Sequence, residues 1–404
     1  MTDWIQLEAE RYFHVAKRTQ VVIERGEGCW VWDTDGKRYL DMIGGWAVNT
    51  LGHCHPLMID TLNRQARQLM HTSNQVYTIP QLELADLLVR NSPLDRVFIG
   101  NSGAEANEGA IKLARKWGKY HLDGAYKVIT ADHSFHGRTL AMVAATGKPA
   151  YQEPYSRLPE GFQNIPFNDI DALESAVDST TCAVMLEVVQ GEGGVNEADP
   201  RYLKSARELC TAKNVLLIAD EVQTGVARLG TLWGHTQFGI EPDVMTVAKG
   251  LGGGVPVGAL LANEECSVFD YGDHGSTYGG NPLVCAVAVA VLRYVIEQDL
   301  PAHVATVGSH LKAGMDQLRS KYPSIIEVRG RGLLLAMEFD DELAADVLAA
   351  ALERGMIMNS PSPTSIRFMP PLIITQAEAD EALSILDASL AAVTESRQTA
   401  ARAN

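Results

Sequence analysis

Short runs of β-branched and apolar residues alternate with helical stretches over residues 55–295. The runs are apolar at consecutive positions, as strands are when both faces of a sheet are covered. Strands separated by helices predict a mostly parallel sheet with helices on both sides, and therefore an α/β fold. The predicted strands are residues 96–100, 127–131, 182–189, 215–220, 243–249 and 257–262, with helices such as 105–120 and 200–214 between them.

The two ends of the chain have a different pattern. Residues 1–20 predict a helix, and residues 21–43 predict short strands with a hairpin turn at Asp35-Gly36. Residues 297–390 alternate helices with two strands, 325–339 and 365–374, and predict an α+β unit. The last residues of the chain have few apolar side chains, and we expect them to be frayed.

Composition narrows the functional classes. The chain has 404 residues, 46% of them hydrophobic, so it can bury a large core. The net charge of −16 argues against nonspecific nucleic-acid binding, which needs a basic face, but not against an anionic ligand in a buried site. The longest apolar run, residues 283–292, is too short to cross a membrane, and no signal peptide is visible. Six scattered cysteines without a CxxC pair predict reduced thiols in a cytoplasmic protein.

Ligands of open α/β sheets bind at the carboxyl ends of the strands, so the residues that follow each strand are candidates for a site. Ser102, Gly103 and Ala104 follow the first predicted strand and open a helix, where free N–H groups favour phosphate. An ordinary strand–helix turn is the alternative. Phe135 and Arg138 follow the second strand and could stack on a flat ring and hold a carboxylate, or form an ordinary surface loop.

Two ionisable residues end the next apolar strands. Asp220 could bind Mg²⁺ or a protonated ring nitrogen, or cap a helix. Lys249 could be a nucleophilic amine for Schiff-base chemistry if burial lowers its pKa, or it could reach solvent. His53-Cys54-His55 has no matching partner, so we expect a turn that leads into a helix rather than a metal site.

The combination is more specific than any of its parts. A phosphate cradle, a stacking aromatic ring, a carboxylate and a lysine are what pyridoxal 5′-phosphate requires. Over about residues 15–390 the chain resembles the class III aminotransferases, the fold type I pyridoxal-phosphate family that contains acetylornithine, ornithine and 4-aminobutyrate aminotransferases. The motifs that carry the resemblance are GGWAVNTLGHCHP (44–56), NSGAEANEGAIKLAR (101–115), SFHGRT (134–139), EVVQGEGGV (187–195), DEVQTG (220–225), AKGLGGGVPVGA (248–259), HGSTYGGNPL (274–283) and SIRFMPPLII (365–374).

The resemblance implies a three-layer α/β/α large domain with a mostly parallel sheet and a small α+β domain built from both chain ends. We expect residues 1–54 to join the small domain, 55–296 to bind the cofactor, 297–392 to complete the small domain, and 393–404 to form a disordered tail. The family also implies a homodimer with composite active sites.

The motifs further imply which residues hold the cofactor. Lys249 matches the lysine that binds it covalently, and Asp220 matches the partner of its ring nitrogen. Val222 and Phe135 would pack on the two ring faces. The remaining contacts, to the phosphate and the phenolic oxygen, would come from Ser102, Gly103, Ala104 and Gln223, with Ser276 and Thr277 reaching the phosphate of the neighbouring subunit.

Other motif positions imply a substrate site. Arg138 matches the substrate-carboxylate arginine, and Arg367 matches the arginine for the α-carboxylate of the keto acid, which Glu192 would mask in one half-reaction. Trp46 replaces the aliphatic residue of acetylornithine enzymes and the tyrosine of ornithine enzymes.

We therefore expect an ω-aminotransferase that moves the terminal amino group of an N-acetylornithine-like donor to 2-oxoglutarate by a ping-pong mechanism, giving a semialdehyde and glutamate. Ornithine, 4-aminobutyrate or another ω-amine is the alternative donor. An aminomutase or decarboxylase is disfavoured because two arginines serve two different substrates, and the lysine and aspartate argue against a non-enzymatic protein.

Overall fold

A computed structural model describes residues 3–155 and 157–403 of the chain. At its centre is a seven-stranded sheet. All neighbouring strands are parallel except Gly258–Ala262, which is antiparallel to both of its neighbours. Each predicted strand of the central region is present. In order across the sheet the strands are Arg96–Gly100, Gly258–Ala262, Val244–Val247, Leu216–Asp220, Thr181–Leu186, Lys127–Ala131 and Phe162–Ile165.

Helices cover both faces of this sheet. Every residue of the strand Leu216–Asp220 is buried. Leu217 packs on one face in a cluster with the helix Pro200–Lys213, and Ile218 packs on the other in a cluster with the helix Gly103–His121. Since successive strand residues point to opposite faces, a strand covered on both sides has to be apolar throughout. The predicted three-layer arrangement with a mostly parallel sheet is confirmed.

The helices follow the predicted pattern, although the first covers only part of residues 1–20. None in the described part of the chain is long and apolar enough to span a membrane. The α-helices are Trp4–Arg11, Pro56–Gln68, Ile79–Arg90, Gly103–His121, Leu140–Ala145, Pro149–Gln152, Ile170–Ala176, Pro200–Lys213, Pro282–Glu297, Leu300–Lys321, Ala344–Glu353 and Gln376–Ala403, and the 3-10 helices are Gly234–Phe238 and Lys249–Leu251. Gly44–Ala47 is a short left-handed turn.

Two smaller sheets are built from the ends of the chain. In the first, Trp30–Asp33 and Arg38–Asp41 form the hairpin predicted at Asp35-Gly36, and Met356–Ile357 pairs in parallel with Arg38–Asp41. The predicted small domain from both chain ends is therefore confirmed, whereas the exact domain bounds stay a prediction. The other strands of these sheets are Ile23–Glu27, Ile325–Arg331, Leu334–Phe339, Asn359–Ser362 and Ser365–Phe368, and a separate two-stranded ladder joins Val189–Gln190 to Asn196–Glu197.

The end of the chain differs from its prediction. The last helix continues to Ala403, so residues 393–403 are helical where the sequence predicts a disordered tail. Arg397 pairs with Asp341 at 2.6 Å and with Asp346 at 3.4 Å, which ties this part of the helix to the preceding small-domain segment. Residue 404 lies outside the described residues.

Candidate active site

A cleft of about 450 Å³ lies at the carboxyl edge of the central sheet. A larger cavity, of about 650 Å³, lies at the amino edge, but its arginine, Arg207, is held by Asp243 at 2.8 Å. The carboxyl-edge cleft brings together most of the residues singled out from the sequence. It is lined, among others, by Ser102, Gly103, Ala104, Phe135, Arg138, Glu192, Asp220, Val222, Gln223 and Lys249.

The first wall of the cleft is the start of a long helix. Ser102 caps the helix Gly103–His121 by accepting a hydrogen bond from the N–H of Glu105 at 3.2 Å. The N–H groups of Gly103 and Ala104 lie in the first turn of the helix, where a backbone N–H has no carbonyl partner within the helix. They are therefore available to an anion in the cleft. The geometry therefore suits a phosphate group.

Glycines allow close packing around this wall. A Cβ on Gly258 would lie 2.3 Å from the carbonyl oxygen of Ser102, and a Cβ on Gly103 would lie 2.7 Å from Cγ1 of Val222. Any larger residue at either position would push the phosphate-binding turn or Val222 out of place.

The buried carboxylate of Asp220 lies at the end of its strand and is 3% exposed. Its Oδ1 accepts a hydrogen bond from the N–H of Val222 at 3.0 Å. Its Oδ2 accepts from Asn107 Nδ2 at 2.8 Å and contacts His136 Nδ1 at 2.7 Å. Burial opposes a charge on His136, but the hydrogen bond and charge of Asp220 together with the charge of Glu187 outweigh it, so the pKa of His136 is raised. These contacts fix the carboxylate in one orientation.

Lys249 follows the neighbouring strand Val244–Val247 by two residues, at the same edge of the sheet as this carboxylate. Its backbone has a φ of 42°, which is uncommon for a non-glycine residue and typical of strained functional sites. Burial lowers the pKa of Lys249, and the charge of Arg367 lowers it further, while Glu192 and Asp220 oppose the shift. A larger neutral fraction makes the amine a better nucleophile.

Gln223 is 7% exposed, yet neither atom of its side-chain amide has a hydrogen-bond partner within the described residues. A buried amide without partners is costly, so this side chain is suited to a polar ligand in the cleft. Together with the cradle at Ser102, the carboxylate of Asp220 and the amine of Lys249, it fits pyridoxal phosphate.

Arg367 lies behind the cleft on the strand Ser365–Phe368 and is completely buried. Its Nη1 donates to Glu192 Oε1 at 2.9 Å and to the carbonyl of Gly191 at 2.7 Å, while Nε and Nη2 have no partner among the described residues. Burial alone would raise the pKa of Glu192, but the charges of Arg367 and Lys249 lower it. Glu192 is therefore a carboxylate that covers a guanidinium with unused donors.

Trp46 lies over the same guanidinium, with its ring centroid 5.3 Å from Cζ of Arg367. It belongs to Gly44–Ala47, which forms one left-handed turn with φ values of 55°, 62°, 66° and 63°. Such a conformation costs roughly 1–2 kcal/mol for each non-glycine residue. Asp41 holds the turn by accepting from the N–H groups of Ile43 and Gly44, both at 2.9 Å.

Arg138 is exposed at the mouth of the cleft. Its guanidinium lies 3.7 Å from the ring centroid of Tyr151 and 5.6 Å from that of Phe135. It forms no ion pair with any carboxylate in the described part of the chain, so it is available to an anionic substrate.

Two predicted phosphate ligands are not among the residues that line this cleft. Ser276 Oγ accepts from Asn101 Nδ2 at 3.0 Å and from the N–H of Gly279 at 3.0 Å, and Thr277 is exposed. Their role at the cofactor phosphate of a neighbouring subunit therefore stays a prediction.

The predicted turn at residues 53–55 is confirmed. His55 caps the helix Pro56–Gln68, and His53 contacts Asp41 at 2.8 Å. The described residues contain no cluster of three or more potential metal ligands.

Sequence reasoning missed several residues of the site. Asn107 and His136 orient Asp220, and Glu187 lines the cleft and accepts from the N–H of Phe135 at 2.8 Å. Burial raises the pKa of Glu187 to about 7. All three lie within the quoted motifs, but their spacing in the sequence gives no sign of their shared contacts.

Comparison with known proteins gives matches over nearly the whole chain. The family model described as Aminotransferase class-III matches residues 12–390. An acetylornithine aminotransferase from Caldanaerobacter subterraneus subsp. tengcongensis is 47% identical over 384 residues, which cover 95% of this chain and 98% of that protein.

Solved structures of related proteins superpose closely. The ornithine aminotransferase from Toxoplasma gondii, described with partial occupancy of pyridoxal phosphate at its active site, superposes with a TM-score of 0.94 at 36% identity, covering 98% of this chain and 95% of that one. The N-acetylornithine aminotransferase from Stenotrophomonas maltophilia has a TM-score of 0.84 at 38% identity, covering 97% of this chain and 100% of that one.

Proposed function

Since the chain belongs to the class-III aminotransferases, which depend on pyridoxal 5′-phosphate, we propose that it moves the terminal amino group of an N-acetylornithine-like donor to 2-oxoglutarate. The reaction is ping-pong and gives a semialdehyde and glutamate. The family and cofactor expected from the motifs are confirmed. The observation that supports the two-substrate reaction is the contact between Glu192 and Arg367 at 2.9 Å.

The residues of the cleft would hold the cofactor as follows. Ser102, Gly103 and Ala104 would bind its phosphate, Asp220 its ring nitrogen and Gln223 its phenolic oxygen. Val222 and Phe135 would pack on its ring, and Lys249 would hold it covalently. When bound, the cofactor supplies an electron sink for the carbon that loses a proton. When it is not bound to the cofactor, Lys249 would take that proton and return it, as a general base with a lowered pKa should.

The substrates differ in how many carboxylates they carry near the reacting carbon. An ω-amine donor has only a distant α-carboxylate, which Arg138 binds. 2-Oxoglutarate has a second carboxylate beside its ketone, and this one binds Arg367. Glu192 covers Arg367 during the donor half-reaction, so that ordinary α-amino acids do not place their α-amine at the cofactor.

N-Acetylornithine is the leading donor because the chain is 47% identical to an acetylornithine aminotransferase over almost its full length. Ornithine remains a candidate because an ornithine aminotransferase superposes with a TM-score of 0.94. Trp46 differs from the residue expected at this position in both the acetylornithine and the ornithine enzymes. Because its large indole lies beside Arg367, 4-aminobutyrate and other ω-amines are kept as alternative donors. An aminomutase is disfavoured because it has no second substrate, and so no need for an arginine such as Arg367 that Glu192 covers in one half-reaction.

A homodimer would complete the site. Tyr77, Ile79 and Tyr278 are exposed by 91%, 75% and 66%. Tyr278 directly follows Thr277, and Asn74, which precedes Tyr77 by three residues, donates to the carbonyl of Ser276. If this surface binds a second copy, mixing inactive Lys249→Ala and Thr277→Asp subunits should restore activity in the hybrid dimer. Failure of two separately folded variants to complement would argue against shared sites.

A cytoplasmic location is part of the proposal because all six cysteines are free thiols.

The experiment that tests the function is a donor panel with 2-oxoglutarate, combined with single-turnover absorbance of each half-reaction. Arg367→Ala should slow the 2-oxoglutarate half much more than the donor half, and Arg138→Ala should slow both. Glu192→Ala should raise reactivity toward glutamate relative to ω-amines. Arg201→Ala, an exposed arginine of a distant helix, is the control. Equal losses in both halves for Arg367→Ala would refute the two-carboxylate assignment.

A further inference from the structure

Lys148 is a cation of the site that has no assigned role. It is half-buried, and its Nζ donates to the main-chain carbonyl of Glu192 at 2.5 Å. Its Nζ also lies 5.5 Å from the ring centroid of Tyr151, on which Arg138 stacks. Within residues 3–155 and 157–403 it forms no ion pair with a carboxylate. Burial lowers the pKa of Lys148, while the charges of Glu192 and Glu187 oppose this shift.

The proposed reaction requires Glu192 to leave Arg367 whenever a carboxylate takes its place. The side chain of Glu192 is only 18% exposed, so its charge would lose a partner in a poorly solvated environment. An unpaired buried carboxylate is strongly destabilising, and the open state needs another cation. The charges of Arg367, Lys249 and Lys148 all act on Glu192. Lys249 has to move the proton of the reacting carbon and Arg138 binds the distant substrate carboxylate, so Lys148 is the cation left to receive the carboxylate of Glu192.

The distances bring this exchange within reach of the Glu192 side chain. Since Nζ of Lys148 touches the carbonyl oxygen of Glu192, it lies within about 5 Å of the Cα atom of Glu192. A glutamate side chain spans that length, so a change of rotamer can bring its carboxylate to Nζ. A lysine has three N–H donors, and only one is used by the carbonyl.

We propose that Lys148 is a positioning residue that pairs with the carboxylate of Glu192 after it has left Arg367, and so stabilises the open state of the site. The inference rests on the proposed function and concerns substrates that need Arg367. Lys148 itself touches neither the cofactor nor the reacting atoms.

Three half-reactions on the holoenzyme test the proposal. Lys148→Met removes the charge and keeps the length, so it should slow the reactions of 2-oxoglutarate and of glutamate, which both need Arg367 uncovered. The expected loss is about 10- to 100-fold, the equivalent of one charge-assisted hydrogen bond. It should appear mainly in the apparent KM for these substrates. The ω-amine half-reaction should stay within about twofold of the wild type, and Lys148→Arg should restore the other two.

A second pair of variants separates this role from a merely structural one. In a Glu192→Gln background, residue 192 carries no negative charge for Lys148 to bind. Adding Lys148→Met should then cause no further loss in any half-reaction. A structural role would instead slow all three half-reactions and would persist in that background. Lys213→Met, at an exposed helix end, is the matched control.

Equal losses in the three half-reactions of Lys148→Met, or an undiminished effect in the Glu192→Gln background, would overturn the role of Lys148. A wild-type enzyme whose absorbance responds to no amine would instead refute the proposed function.

Discussion

Replacing Asp220 by Asn removes a charge but nearly preserves the shape of the side chain. The carbonyl oxygen of an asparagine can still accept from Val222, and its NH₂ group can donate to Nδ1 of a neutral His136. Only the bond from Asn107 is replaced by two facing donors. We therefore expect Asp220→Asn to fold, with a loss of roughly 1–3 kcal/mol in the free energy of unfolding.

The effect on the rate should be much larger than the effect on stability. Asp220 is 3% exposed, so water does little to screen its charge. In the proposed reaction this charge stabilises the state in which the substrate carbon loses its proton. Removing one preorganised group of this kind lowers the rate roughly 10²- to 10³-fold, or about 2.7–4 kcal/mol.

The assay is stopped-flow absorbance of the holoenzyme after mixing with an ω-amine, with cofactor content measured on the same sample. Asp132→Asn is the control, because Asp132 follows the strand Lys127–Ala131 of the same sheet but does not line the cleft. It should keep the wild-type rate. An Asp220→Asn enzyme with full cofactor and a rate within about threefold of the wild type would refute the role of the charge.

Three further outcomes follow from the site. Lys249→Ala should abolish turnover, and borohydride reduction of the wild type with peptide mapping should label Lys249; a label on another lysine would contradict the assignment. Trp46→Ile should shift the donor ranking toward N-acetylornithine because the indole narrows the site, whereas an unchanged ranking would remove Trp46 from specificity. The pKa of Glu187 is raised to about 7 in the folded state, whereas its ordinary value, which applies to the unfolded chain, is 4.5. Between these values the unfolded state loses its proton first, so the wild type becomes less stable as pH rises. Measured without cofactor, Glu187→Gln should therefore gain stability relative to the wild type between about pH 5 and about pH 8, by no more than about 3 kcal/mol; parallel Tm profiles would refute this.

The sequence predicts elements well where periodicity and length agree. The strand Leu216–Asp220 is apolar on both faces and is predicted almost residue for residue. The strand Phe162–Ile165 is missed because its four residues include Gln163 and Asn164, which an edge strand tolerates. The apolar segment 325–339 predicts one strand but forms a hairpin, since Gly332, with a φ of 55°, reverses the chain.

The residues of the site also divide into those that the sequence indicates and those that it does not. Residues that end strands or open helices, such as Asp220 and Ser102, are visible because topology brings strand ends together. His136 and Lys148 are not, because their roles depend on contacts with Asp220 and Glu192, which are 84 and 44 positions away in the chain. Spacing in one sequence carries no information about such pairs.

The pairing of Met356–Ile357 with Arg38–Asp41 has a consequence for synthesis of the protein on the ribosome. A chain grows from its amino end, and domains fold as they emerge. The hairpin Trp30–Asp33 and Arg38–Asp41 must therefore wait, with one strand edge unpaired, until more than three quarters of the chain has been made. An unpaired edge invites association with other chains. Aggregation of nascent chains truncated before Met356 should accordingly exceed that of chains extended past Ile357.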